Sequence, residues 1–314
     1  MAKYLISRIA QAALVLWAAF TVAFILLQVL PGDAVMIKFE SPDLGLSASQ
    51  IAEIRSAYAV DQPLIVQYGK ALGNTLTGQL GYSIQQGVTV GELLRTNLPP
   101  TLRLASLGFV LAVTLAVGIA FLANLTPFGW LRAGLQAVPA LFVSVPVFWL
   151  GIVLIQVISF RLRWVSVIAP GEIEGLILPT ITLAVPISAP LAQVLLRSID
   201  AVQTQNFVSV ARAKGASAAH VLWAHVARNA ILPVLTIAGV LLGELLAGAV
   251  VTETVFGLNG LGSMTRDAVS SQDVSVLQAL VVLSAAVFVV VNLAVDLLYP
   301  VLDPRLRRRF EVGP

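Results

Sequence analysis

Cysteine is absent from this 314-residue chain, which excludes a disulfide framework, a thiolate nucleophile and a cysteine-ligated metal. Histidine is scarce: His220 and His225 are the two present, too few for a dedicated metal cage. Charge is scarce as well, at 11% of residues against about 25% in soluble domains. The net charge is only +3, and no long basic run or basic-aromatic patch occurs outside the C-terminal tail, so nucleic acid is not an expected partner. A GxxxxGK[ST] phosphate loop is missing too. GLNGLGSM, which starts at Gly257, lacks the Lys-Ser/Thr ending. No tandem repeat with a period of 20–50 residues is apparent.

What the chain has instead is apolar length, with 58% hydrophobic residues. A membrane-spanning helix needs about 20 mainly apolar residues. Six such runs are legible, near residues 9–30, 101–123, 135–160, 176–196, 230–251 and 276–299. The first is too long for the usual signal-peptide core of about 7–15 residues, and no small-x-small cleavage site follows it. It reads as an uncleaved anchor. The fold class expected is therefore an all-α polytopic membrane protein with six transmembrane helices.

Lysine and arginine near the spans set the orientation. Lys3, Arg8, Arg132, Arg197, Arg212, Lys214, Arg228, Arg305, Arg307, Arg308 and Arg309 fall on one side if there are six spans. The short opposite loops carry Arg161, Arg163 and Arg266. The loop after the first span also holds basic residues, but loops beyond about 60 residues cross largely regardless of charge. Both termini are expected in the cytoplasm. The chain then divides into an N-terminal anchor helix (1–30), an external region (31–100), a transmembrane domain (101–303) containing a cytoplasmic arm (198–229), and a cytoplasmic tail (304–314). The external region has one candidate helix at 49–58, with Ser49 as its cap.

The arm is the most informative stretch. Phe207, Val210, Ala211 and Lys214 recur at helical spacing and share one face. Gly215 is placed to end that helix in the left-handed conformation, and Ser217 to cap a second one. Val221, His225 and Arg228 would share one side of the second helix, and Leu222, Val226 and Asn229 an adjacent side. On physics alone two readings stand level. One is an amphipathic surface helix whose Arg212 and Lys214 meet anionic headgroups. The other is a docking helix for a soluble partner.

Several motifs bear on this choice. KYLISRIAQAALVL with LLQVLPGDA, DQPLIVQYGKAL, GQLGYSI, NLPPTLRLA, VPALFVSVPVFWLGIVLI, ARAKGAS with HVARNAILP, LLAGAVVTETVFGLNGLGSM and VDLLYPVLDPRLRRR follow one another along the chain. In that order they resemble the transmembrane permeases of ABC importers, in particular the B-type subunit of the dipeptide, oligopeptide, glutathione and nickel uptake family. Departures from the family pattern are Gln79 where Asp is usual, Asn259 where Pro is common, Arg103 where Glu is common, and Ser209 in place of the Glu of the strict coupling motif. Arg103 bears on the translocation path or on contact with the binding protein.

The resemblance implies the type I ABC importer permease fold. It implies half of a translocation pathway in a bacterial plasma (inner) membrane, completed by a second homologous permease. Two ATP-binding subunits would carry ATP and Mg, with no cofactor on this chain and no catalysis by it. A periplasmic or extracellular binding protein would deliver a peptide, glutathione, nickel or a metallophore. The coupling element would comprise Phe207, Val210, Ala211, Arg212, Ala213, Lys214, Gly215, Ser217, His225 and Arg228.

Candidate pathway residues are Glu244, Pro146, Pro186 and Glu253. Glu244 lies mid-span, where an ionisable group usually faces a bundle interior or a water-filled cavity. Pro146 and Pro186 free backbone carbonyls inside spans. Glu253, Thr254 and GLNGLG are expected to form an external turn and a short helix at the pathway mouth. Gly239 and Gly243, with Gly248 beyond, mark a close-packing face. Two rivals from other classes remain at this point. An ion-gradient-driven transporter would need paired intramembrane acids and repeated broken helices. A membrane scaffold would need neither kinked spans nor a docking arm.

Overall fold

The computed structural model describes residues 2–28, 47, 62–83 and 85–302. The expected helix at 49–58 and the arginine tail at 305–309 lie outside the described residues. The chain divides into two compact units. One comprises Met1–Tyr4, Thr101–Leu258 and Val290–Pro314; the other comprises Leu5–Pro100 and Asn259–Val289.

Eleven helices and one short hairpin are described in chain order. They are α1 (Ala2–Gln28), α2 (Leu64–Leu76), β1 (Tyr82–Ser83), β2 (Val88–Thr89), α3 (Val90–Leu125), α4 (Gly129–Val143), α5 (Val147–Leu154), α6 (Glu174–Gln203), α7 (Asn206–Ala213), α8 (Ala218–His220), α9 (Ala227–Phe256), α10 (Leu261–Ser270) and α11 (Val274–Leu302). Five of them are long and apolar enough to cross a membrane, and a bent pair makes a sixth if counted as one span.

That pair corrects the expectation of one span at 135–160. Gly129–Val143 and Val147–Arg161 meet at 104°. The break is local. Proline disfavours helical geometry in the residue before it, and Pro146 takes an extended conformation with ψ 137° before α5 begins. A π-helical stretch, Ile155–Arg161, continues α5. Two other expectations also change. α3 begins at Val90 rather than near 101 and runs through Pro99 and Pro100, and the division between the units follows that proline pair. α6 continues unbroken through Pro179, Pro186 and Pro190.

In the first unit α6 is the central element, the most buried of the spans. It pairs most extensively with α9 and also packs against α4 and α5. Leu183 of α6 is 1% exposed and sits between two glycines. A Cβ on Gly108 of α3 would lie 2.9 Å from Leu183 Cδ2, and one on Gly248 of α9 would lie 2.9 Å from Leu183 Cδ1. Gly151 of α5 makes a third close approach, where a Cβ would stand 3.0 Å from Val255 and 3.3 Å from Thr182. Gly248 thus makes a close contact of the kind expected of span five, and Gly239, nine residues earlier on the same helix, is buried. The buried hydroxyls of α6 are satisfied within the helix: Thr182 donates to the Leu178 carbonyl at 2.8 Å and Ser188 to that of Val185 at 2.7 Å.

The second unit is built around Val90, Leu93, Leu94, Leu261, Met264, Ala268, Val276, Ala279 and Leu280. Two polar links fasten it. Ser83 donates to Asp273 at 2.7 Å in a buried contact between residues 190 apart in sequence, and Asp273 also accepts the Val276 N–H at the start of α11. Tyr68 of α2 shares a 2.8 Å hydroxyl contact with Thr21, and its ring meets those of Phe20 and Phe24 edge-on.

The Leu183 notch generates a prediction. Leu183 can shift away from one added methyl but not from two on opposite sides. Gly108→Ala plus Gly248→Ala is expected to destabilise by more than the sum of the single changes. Overpacking costs about 1–3 kcal/mol, more than the roughly 1 kcal/mol that alanine gains over glycine in a helix. Thermal unfolding of the detergent-solubilised protein measures this, and Leu183→Ala is expected to restore stability to the double variant.

Candidate functional site

The arm joins α6 to α9. α6 stops at Gln203, Gln205 turns extended, and α7 makes two turns over Asn206–Ala213. Its end is closed by a pair of backbone bonds. The Gly215 N–H donates to the Arg212 carbonyl at 2.9 Å and the Ala216 N–H to that of Ala211 at 3.2 Å, a Schellman arrangement. Gly215 has φ +83°, the left-handed region where a side chain is disfavoured. Ser217 then accepts the His220 N–H at 3.3 Å as the cap of the next helix. From there the chain stays helical to Phe256, through α8, a π-helical stretch at Val221–Val226 and α9. The sequence pointed to the glycine stop and the serine cap. It gave no sign of the π stretch, which widens one turn and rotates the residues that follow.

Packing decides which side of the arm is covered. Val208 is 0% exposed and anchors α7, with Ala211 half-buried beside it. Phe207 and Val210 lie outward at 38% and 54% exposure, and Ala211 stands at the edge of their face, between it and Val208. Arg212, Ala213, Lys214, Gly215 and Ser217 are exposed. In the second helix Val221, Leu222 and Val226 are buried, while His225 is half-buried and Arg228 exposed. The rings of His220 and His225 meet edge-on at 5.7 Å. The arm is thus pinned from beneath by Val208, Val221, Leu222 and Val226 and presents two apolar side chains and two cations outward.

The four candidate pathway residues sit in different environments. Glu244 is exposed on α9 and does not face this chain's own core. Pro146 is exposed at the 104° bend, and Pro186 is half-buried within α6. Glu253 is 1% exposed and accepts from Thr101 at 2.6 Å. It and Thr254 lie inside α9, and the turn begins only at Gly257 with φ +64°. The bond from Thr101 ties α3, one residue past its proline pair, to the last turn of α9. The short helix expected after GLNGLG is α10, where Ser263 accepts the Gly260 N–H at 3.0 Å. Arg103 pairs with Glu172, both well exposed, a contact of small energetic weight. Among the described residues no three His, Asp or Glu side chains gather as a metal site requires.

The fold is that of the type I ABC importer permeases. The solved MetNI methionine ABC transporter, in an inward-facing form, superposes with a TM-score of 0.57 at 17% identity, over 67% of this chain and 96% of that one. An amino acid ABC transporter gives 0.51 at 18%, over 68% and 94%.

The chain belongs to the family of binding-protein-dependent transport system inner membrane components, whose model matches residues 112–308; the N-terminal model of the same system matches residues 1–105. It is a multi-pass permease subunit of a binding-protein-dependent ABC importer. Among its relatives is a probable peptide ABC transporter permease, y4tP of Sinorhizobium fredii, 34% identical over 98% of this chain and 100% of that one. The oligopeptide permease AppB of Bacillus subtilis is 32% identical over 98% and 99%. The glutathione permease GsiC of Escherichia coli is also 32% identical, over 98% and 99%.

The cap geometry can be tested directly. Ser217→Ala is expected to cost about 1 kcal/mol and raise local opening about fivefold, read as faster amide hydrogen exchange across 206–226. Ser217→Asn keeps a capping oxygen and is expected to exchange as the wild type does.

Proposed function

We propose that this chain forms half of the pathway of a peptide importer and takes its driving motion through the arm at 206–217. The second half would be a homologous permease, with two ATP-binding subunits beneath and a binding protein delivering cargo on the outer side. Both termini would face the cytoplasm. ATP and Mg would be bound and used on the partner subunits. The observation that carries the coupling reading is the outward pair Phe207 and Val210, beside Arg212 and Lys214, on a helix anchored at Val208. A lipid-surface helix would turn its apolar residues toward the acyl chains. Here Lys214 is spaced to lie with the exposed Phe207 and Val210, and an apolar face joined by a cation suits a protein groove.

The mechanical argument is continuity. Closure of the ATP-binding subunits would push α7, and the uninterrupted helix from Ala218 to Phe256 would carry that push into span five. A Schellman turn with a capped restart resists collapse better than a free loop would. The pathway would run between the two permeases. Glu244 supports this, because a carboxylate exposed on a single chain at mid-span is costly against lipid and acceptable against water or a partner. The names of the relatives favour a peptide cargo, with glutathione next. Nickel and metallophores rest on the family resemblance alone.

Phe207→Ala with Val210→Glu is expected to leave insertion and thermal stability unchanged, because both side chains are exposed. Co-purification of the ATP-binding subunits and ATP-driven uptake of a labelled dipeptide into proteoliposomes are expected to fall at least about tenfold. Uptake at the wild-type rate would remove the coupling role. Glu244→Gln is expected to lower uptake while the ATP-binding subunits still co-purify; unchanged uptake of every peptide tested would take Glu244 out of the pathway.

A further inference from the structure

A groove of about 330 Å³ runs through the first unit between α3, α6 and the helix from Ala218 to Phe256, and no step above uses it. Leu191, Leu195 and Ala116 are buried and form its floor. Val113, Ile231 and Trp223 are exposed and form its lips. Every side chain lining it is hydrophobic. A polar solute would lose its hydrogen bonds there, and water would find no partner. All three walls belong to helices long and apolar enough to cross a membrane, so the groove opens toward lipid or toward a neighbouring protein.

Dimensions decide between these two. The wall on α9 extends from Ala227 to Ala238, about 17 Å of helix at 1.5 Å per residue. That is about half of the roughly 30 Å hydrocarbon core, the depth of one leaflet. A helix with its side chains is about 10 Å across and rises about 5.4 Å per turn, so one turn takes roughly 420 Å³. The groove holds less than one turn and suits a single flexible chain. Its arm end carries the groups of a membrane–water boundary. Trp223 closes that end, its ring 4.3 Å from that of Phe121, and tryptophan concentrates at headgroup level. Arg228 is exposed and stands three residues before the lining Ile231, on the neighbouring edge of the helix. Among the described residues no carboxylate pairs with it.

We propose that this groove is a phospholipid site, in which one acyl chain lies along the floor of α6 and the phosphate rests at Arg228. The acyl chain replaces bulk lipid contacts with a fitted apolar wall, and the cation selects a headgroup that carries a negative charge. Trp223 belongs to the π-helical stretch that joins the arm to span five, so the bound lipid fills the notch between span two and the root of the arm. The leaflet is the one on the arm's side, whichever face of the membrane that is.

The test uses the complete importer assembly, stripped of lipid in detergent. It is titrated with phosphatidylglycerol carrying a diazirine in one acyl chain, or with a diacylglycerol of the same chains, which lacks the phosphate. After illumination the labelled residues of this chain are mapped by mass spectrometry. Phosphatidylglycerol is expected to label residues 109–121 and 223–238 saturably, and the diacylglycerol to bind about fivefold more weakly. Arg228→Gln is expected to weaken phosphatidylglycerol about fivefold, with Arg228→Lys binding as the wild type does. Ala227→Phe and Ala238→Phe fill the two ends of the groove, and each is expected to cut binding about tenfold. Val240→Phe, on an exposed side of α9 outside the groove, is expected to change nothing. If the filled variants do not assemble, the exposed Arg228 pair decides. Non-saturable labelling, equal binding of the two lipids, or wild-type binding by both filled variants would overturn the proposal. So would a photocrosslink from benzoylphenylalanine at Ile231 to the partner permease, because protein would then occupy the groove. Labelling needs neither ATP nor cargo, so a failure of uptake bears on the importer reading alone.

Discussion

Leu183 between Gly108 and Gly248 is the contact on which the transmembrane bundle depends. In a bilayer, lipid tails are as apolar as leucine, so helices gain little from hiding apolar surface from one another. Cohesion must come from close approach. Glycine on each flanking helix lets α3 and α9 come within van der Waals reach of a side chain from α6. The other features of the first unit build on this. α6 stays straight enough to be shared despite three prolines, its hydroxyls are satisfied internally, and α5 adds a further glycine contact. Thr101 and Glu253 then join α3 and α9 again with a buried hydrogen bond, which is stronger in a low-dielectric setting than in water.

The same bundle carries the arm. α7 has only two turns and could not hold a fixed orientation alone. Val208 and Ala211 fix it against the core, and the residues that follow Gly215 are welded to α9 by continuous helix. A short element that is rigidly seated and outwardly apolar is suited to receive force. The second unit is tied together differently. Its polar links, Ser83 with Asp273 and Thr21 with Tyr68, join distant parts of the chain.

Much of this was legible in the residues. Apolar length marked the spans, and the arm's stop and restart followed from Gly215 and Ser217, because left-handed geometry and capping are local. Which side of the arm is covered was not legible. Spacing grouped Phe207, Val210 and Ala211 on one face, and packing shows that the core takes the adjoining Val208 and leaves Phe207 and Val210 outside. The bend before Pro146 was readable as a proline and not as a 104° turn. Pro179, Pro186 and Pro190 carry the same local signal, yet α6 continues through them. Glu253 looked like a residue of an external turn because glycines follow it closely. One more turn of helix and a threonine 152 positions earlier bury it.

The sequence by itself determined that this chain lives in a membrane, where its apolar runs lie, and where the arm breaks and resumes. Those properties depend on composition and on neighbours within a few residues. Only the tertiary structure decided which prolines bend the backbone, which glycines meet Leu183, which carboxylate is buried and which remains exposed, and which side of the arm faces outward. Each depends on helices brought together from distant parts of the chain, and packing between such partners leaves no trace in local spacing.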